Sequence, residues 1–129
     1  MDEYNKSLIK RWHDSRVFNL EKDRFKQKRI ISTEITPIDS YSMTSKSLYP
    51  YLLADTFNRY FKMCGENIYY IIGIDTASYV SYSFLSNHYL DSKNMLKEYL
   101  DVLNIMGVGF DYESIICLLY TSPSPRDTR

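Results

Sequence analysis

The chain has 129 residues, room for one domain; at this size roughly 65% of the unfolded surface can be buried, enough for a core. Its 16 Lys and Arg balance 16 Asp and Glu, which excludes the basic footprint of a non-specific nucleic-acid binder. Two cysteines exclude a disulfide scaffold and point to a reducing compartment. No apolar run approaches the ~20 residues that cross a bilayer, and the opening MDEYNKSLIKRW has no apolar signal region, so a cytoplasmic protein without membrane contact is expected.

In chain order, Asp2 to Asp14 has helical periodicity, with Leu8, Ile9 and Trp12 on one face, suited to packing across a sheet edge. Glu21 to Arg29 is a mixed-charge connector expected to be solvated. Arg29 to Thr36 is rich in β-branched residues and predicts a strand, which Pro37 should stop. A polar loop follows from Asp39 to Ser47. Leu48, Leu52, Leu53, Phe57, Tyr60 and Phe61 then recur at helical spacing, with Asp55, Asn58 and Arg59 on the other side. Pro50 is expected in the first turn and Gly65 at the end of this helix.

Ile68 to Ile72 is a continuous apolar run, short enough for a strand buried on both faces, with Asp75 just beyond it. Strand, helix and strand make a βαβ unit, whose ligand is expected at the carboxyl ends of the strands. Tyr79 to Leu90 fits a strand, because Val80, Tyr82 and Phe84 alternate with serines; a helix fits too. Asp91 or Ser92 caps a helix with the stripe Leu96, Tyr99, Leu100, Leu103 and Met106, ended by Gly107. Val108 to Tyr112 has the composition to open another strand.

Chemistry is expected in the loop before the second helix. Lys46 can place a positive charge near phosphate, Thr44 and Ser47 can donate hydrogen bonds, and the helix N-terminus behind them attracts anions whatever the side chains. The bland alternative is a polar loop that caps the helix through Ser47. Asp75 either holds a ligand ammonium or caps the next turn. His88 has no partner at ligand spacing, so no metal site is expected, and His13 is expected on a helix surface.

Together these pieces resemble the N-terminal part of a class I aminoacyl-tRNA synthetase, most similar to leucyl-tRNA synthetase. Trp12 to Phe18 (WHDSRVF) is similar to the family's opening Trp and Phe, six residues apart. Thr36 to Asp55 lies on the family's first signature without a gap, matching at Pro37, Ser40, Tyr51 and Asp55. Arg59, Tyr60, Met63, Gly65, Gly73 and Asp75 continue the match, and Met106 to Asp111 (MGVGFD) looks like the family's Leu-Gly-Ile-Ser-Tyr-Asp segment.

The resemblance implies an α/β fold, the first half of a Rossmann-like parallel catalytic sheet, spanning residues 29–116 after an N-terminal helix and connector at 1–28. It implies ATP as a Mg-bound substrate, with Thr44, Lys46 and Ser47 at its phosphates and Lys46 as the catalytic cation. It implies leucine or a similar aliphatic amino acid against Ile35 and Asp75, and tRNA through regions outside these residues. The family's His-x-Gly-His box reads Thr44-Ser45-Lys46-Ser47 here, without its histidines or glycine. Ile38 and Asp39 replace aromatic and proline residues that wall the family's amino-acid pocket. Three functions therefore stand: an ATP-dependent amino acid–tRNA ligase, a non-catalytic paralogue that binds an amino acid, nucleotide or partner, and an unrelated nucleotide-binding α/β domain. The last stretch, from Cys117 (CLLYTSPSPRD), resembles a translated sequencing adapter, so residues 117–129 are expected to be non-native and the native part to end near Ile116.

Overall fold

The computed structural model describes residues 3–18, 28–110 and 115–117. In order these form α1 (Glu3–Asp14), β1 (Lys28–Ser32), β2 (Thr36–Pro37), α2 (Ser45–Met63), β3 (Asn67–Ile71), β4 (Gly73–Asp75), α3 (Tyr79–Asn87), α4 (Ser92–Ile105) and β5 (Ile116–Cys117). Every strand pair is parallel: β1 beside β3, and β2-β4-β5 in a second short sheet. Parallel neighbours need a crossover, which α2 supplies while lying against β1 and β3. The expected α/β fold with parallel strands is the fold observed. The strand expected from Val108 onward is not at Val108 to Phe110, which have no strand pairing; its remaining residues lie outside the described ones.

The first predicted strand is split into β1 and β2, and it ends with Pro37 included rather than before it. Pro37 pairs with Asp75 as the last residue of β2, and the Ile38 amide still donates to the Asp75 carbonyl at 3.2 Å. An outer strand tolerates this proline because its missing N–H can face away from the neighbour. Between β1 and β2 the register slips. Ser32 pairs with Ile71 and Thr36 with Ile74, so Thr33 to Ile35 oppose only Ile72 and Gly73. This is a β-bulge, with one extra residue on the outer strand. A Cβ on Gly73 would lie 2.9 Å from Ile35 Cγ1, so only glycine lets the bulged isoleucine cross here. β3 is not buried on both faces as expected: Ile68, Tyr70 and then Ile72 are buried, while Tyr69 and Ile71 are half-covered.

In α2 the expected faces are reversed in part, although Leu48 and Leu52 pack on the core as expected. Its buried residues are Tyr51, Ala54, Asp55 and Asn58, whereas Leu53, Phe57 and Tyr60 are 45%, 50% and 59% exposed. The polar face is buried because it meets peptide groups. Asp55 Oδ1 accepts from the Gly109 amide (2.9 Å), Asn58 Nδ2 donates to the Gly109 carbonyl (3.0 Å), and Arg59 Nη2 donates to the Gly107 carbonyl. Arg59 Nε donates to Asp55 Oδ2 at 2.7 Å. Each buried polar group thereby gains a partner, which makes the burial affordable. Pro50 is the sixth residue of α2 rather than a first-turn residue, so the Lys46 carbonyl loses its usual intrahelical donor. Gly65, at φ +82°, ends α2 as expected.

α1 leans on this network instead of crossing a sheet edge. The Arg59 guanidinium lies 4.7 Å from the Trp12 ring centroid and 5.0 Å from that of Phe18. Phe18 sits where a Cβ on Gly109 would be, 2.1 Å from its nearest ring atom, so that seat requires glycine. His13 is half-buried between the Phe18 and Phe110 rings, not on an open surface.

The Tyr79 to Leu90 stretch is helical in α3, from Tyr79 to Asn87. The Ser78 hydroxyl accepts from the Ser81 amide and starts it. Asp91 caps α4, as one of the two expected residues. In α4 the fully covered stripe is Met95, Tyr99 and Leu103; Met106, expected on it, is half exposed beyond the helix end. The core joins Ile38, Tyr51, Tyr70, Ile72, Ile74, Leu85, Tyr99 and Phe110.

Candidate functional site

The carboxyl end of β2 and the N-terminus of α2 enclose a cavity of about 340 Å³. Ile35, Thr44, Lys46 and Ser47 line it together with Thr36, Asp39 and Pro50. Glu34 lines it as well and carried no signal in the sequence, because a lone glutamate within a predicted strand fits no motif. α2 is 19 residues long and points its free N–H groups at this end, so the cavity carries a partial positive charge from the backbone.

The side chains at its mouth are partly committed. Thr44 is the N-cap, not Ser47: the Thr44 hydroxyl accepts from the Ser47 amide at 3.3 Å. The two hydroxyls lie 2.9 Å apart. One O–H is spent between them, which leaves one for a ligand. Lys46 is exposed and adds the only formal positive charge among the cavity's lining residues, against the carboxylates of Glu34 and Asp39.

Asp75 is beside this cavity in the sheet, across from Pro37, but does not line it. Its Oδ1 accepts from the amides of Ala77 (2.8 Å) and Ser78 (2.9 Å), so it caps the turn into α3. Burial acts to raise its pKa, but the hydrogen bonds from Ser78 and Ala77 outweigh it and hold the carboxyl below its ordinary value. The Asp75 carbonyl accepts from Ser81 Oγ at 2.6 Å, and Ser81 Oγ accepts from the Ile38 amide at 2.9 Å. This fully buried serine ties the ends of β2 and β4 to α3. Tyr99 does the same for the loop: its hydroxyl is 3.1 Å from Ser40 Oγ and donates to the Ser40 carbonyl at 3.2 Å.

Behind the cavity stands Tyr51, fully buried. Its phenol proton is shared between the Gly73 carbonyl (2.8 Å) and the Thr36 hydroxyl oxygen (2.9 Å). Burial pushes its pKa up, and pushes that of Tyr70 up further. Tyr70 donates to the Tyr51 carbonyl at 3.1 Å. Among the described residues no group of three or more His, Cys, Asp or Glu is placed to hold a metal ion, and no helix is long and apolar enough to cross a membrane.

A parallel α/β sheet with a cavity between a strand end and a helix N-terminus is a Rossmann-like architecture. No protein-family model matches the sequence, and no curated protein matches it. Among solved structures the chain is similar to the agnB2 LeuRS of Agrobacterium radiobacter K84, crystallised as a ternary complex with tRNA and LeuAMS. The TM-score is 0.81 at 11% identity, over 89% of this chain and 15% of that one. The fold is thus that of part of a class I synthetase Rossmann core, in line with the resemblance drawn from the sequence. The chain spans 15% of the length of that synthetase.

Proposed function

We propose that the chain is the ATP-facing piece of a leucine–tRNA ligase-like protein, which activates an amino acid with ATP and transfers it to tRNA. The observation that supports this most is the meeting of Ile35, Thr44, Lys46 and Ser47 on one cavity at the N-terminus of α2, within a fold that matches a leucyl-tRNA synthetase. In this reading the free amides of α2 and the Lys46 ammonium take the ATP phosphates. Thr44 and Ser47 offer one hydroxyl, and Ile35 meets an aliphatic side chain. Asp75, already anionic at neutral pH, turns its second carboxylate oxygen to the amino acid's ammonium. Lys46 stabilises the charge that builds on the α-phosphate, in place of the absent histidines. Mg accompanies ATP as part of the substrate.

The second reading, a non-catalytic binding protein, is favoured by the same loop. Thr44 and Ser47 are bonded to each other and Asp75 Oδ1 is committed to a turn, so fewer groups remain to face a transition state. ATP–pyrophosphate exchange on a longer protein that contains this chain separates the two. Exchange that is present and falls about 100-fold or more in Lys46→Ala supports the enzyme, that being the usual loss for one donor aimed at transition-state charge. MgATP binding without exchange for any standard amino acid supports the binding protein.

A further inference from the structure

We propose that Tyr51 is a positioning residue, whose hydroxyl fixes the strand register that builds the wall of the cavity. The wall from Glu34 to Pro37 is delivered by the bulge, since Thr33 to Ile35 take the extra residue. A slip of one residue would turn Ile35 and Thr36 to opposite sides and dismantle the wall.

Burial defends this register at one point only, Ile38, which is fully buried just beyond β2. β1 is exposed at four of its five residues, and a slip exchanges Ile30 for Ile31, apolar for apolar. Its partner β3 carries isoleucine at both parities, Ile68 and Ile71. The hydrophobic pattern therefore specifies the pairing weakly. Besides the bonds of the Ile38 amide, what specifies it is a bond across the two strands at the first paired residue after the bulge. The Tyr51 hydroxyl reaches both Thr36 Oγ1 and the Gly73 carbonyl, and Gly73 is the residue over which Ile35 crosses. A slip leaves this buried hydroxyl with one partner fewer. Tyr51 itself belongs to α2, whose N-terminus forms the other wall, so one hydroxyl sets the spacing of both walls.

The register follows from the geometry; its effect on ligand affinity rests on the proposed function. The test uses the whole 129-residue chain, wild type and Tyr51→Phe. Amide hydrogen exchange is followed by NMR, and binding of leucine and of MgATP by calorimetry. In Tyr51→Phe the Ile38 amide, which closes the ladder beyond the bulge, should exchange at least ten times faster. The Val108 and Gly109 amides should keep their wild-type rates, and leucine or MgATP affinity should fall at least fivefold. Tyr70→Phe removes a neighbouring buried tyrosine bond without touching the bridge, and it should leave Ile38 exchange and affinity unchanged. Thr36→Ser, which keeps the hydroxyl, should keep the wild-type Ile38 exchange rate. Unchanged Ile38 exchange in Tyr51→Phe, or acceleration equal at Ile38 and Gly109, would overturn the proposal. If the wild type binds neither probe, the exchange data alone decide the register, and the proposed function is decided by the pyrophosphate exchange of the longer protein.

Discussion

Replacing Asp55 tests the partly reversed faces of α2. Asp55 is 8% exposed, and its carboxylate serves two donors, the Gly109 amide at 2.9 Å and Arg59 Nε at 2.7 Å. In Asp55→Ala the Gly109 amide stays buried without an acceptor, which costs about 1–3 kcal/mol. The Arg59 side chain is 31% exposed and recovers part of its loss from water, so the ion pair adds about 0.5 kcal/mol. The sum, about 1.5–3.5 kcal/mol, lowers the melting temperature of a chain this size by roughly 10 °C. Asp55→Asn keeps an acceptor for Gly109 but loses the charge-assisted bond, so it should cost about 1 kcal/mol, less than the alanine. Urea unfolding followed by circular dichroism measures both. An Asp55→Ala variant within 0.5 kcal/mol of wild type (roughly the scatter of neutral surface substitutions) would refute the buried polar face. A helix facing water with Asp55, as its apolar periodicity suggests, predicts that small value.

Gly109→Ala should evict Phe18, since the new Cβ would stand 2.1 Å from its ring. A loss of about 1–3 kcal/mol, typical of overpacking, should accompany a red shift of the single tryptophan, Trp12, whose ring packs edge-on against Phe18; unchanged emission would remove Phe18 from that seat. Tyr51 and Tyr70 keep their protons in the folded state above the ordinary value of 10.0, mainly through burial. Above that pH the unfolded chain binds fewer protons, so stability should fall as pH rises, and Tyr70→Phe should flatten the slope. Asp75 titrates below its ordinary 3.8 in the folded chain, so its contribution holds above that pH and is lost as pH falls through its folded value; Asp75→Asn should remove that part of the acid loss.

The order of elements and the βαβ unit were legible because they rest on local chemistry. The β-branched run before Pro37, the positive φ of Gly65 and Gly107, and Asp91 three residues before the Asn94 amide it caps are all written within a few residues of each other. What periodicity misread, it misread for one reason. Asp55 and Asn58 look like solvent residues unless their partners at Gly109, more than fifty residues on, are known. A count of apolar positions assigned their side of α2 to water and left Leu53 and Phe57 for the core. The bulge was hidden in another way: isoleucines at both parities give no alternation to break. Of the site, Ile35, Thr44, Lys46 and Ser47 converge because three of them share one helix end, where spacing is local. Asp75 stands one strand away with Oδ1 turned to its own chain, an orientation set by the Ala77 and Ser78 amides that residue type does not encode.

The outer strand also dictates an order of assembly. Among the described residues β1 has no neighbour but β3, and α2 fills most of the chain between them. The bond that closes the site, Ile38 to Ser81, spans 43 residues, and the one that docks α2 on Gly109 spans 54. Such distant contacts are reached slowly unless the intervening chain is first shortened. Nineteen residues wound into α2 rise ~1.5 Å each, so the helix draws the ends of β1 and β3 together before they pair. Thr44, at the start of that helix, is therefore a residue whose loss should be felt in the rate of folding, before any ligand is present.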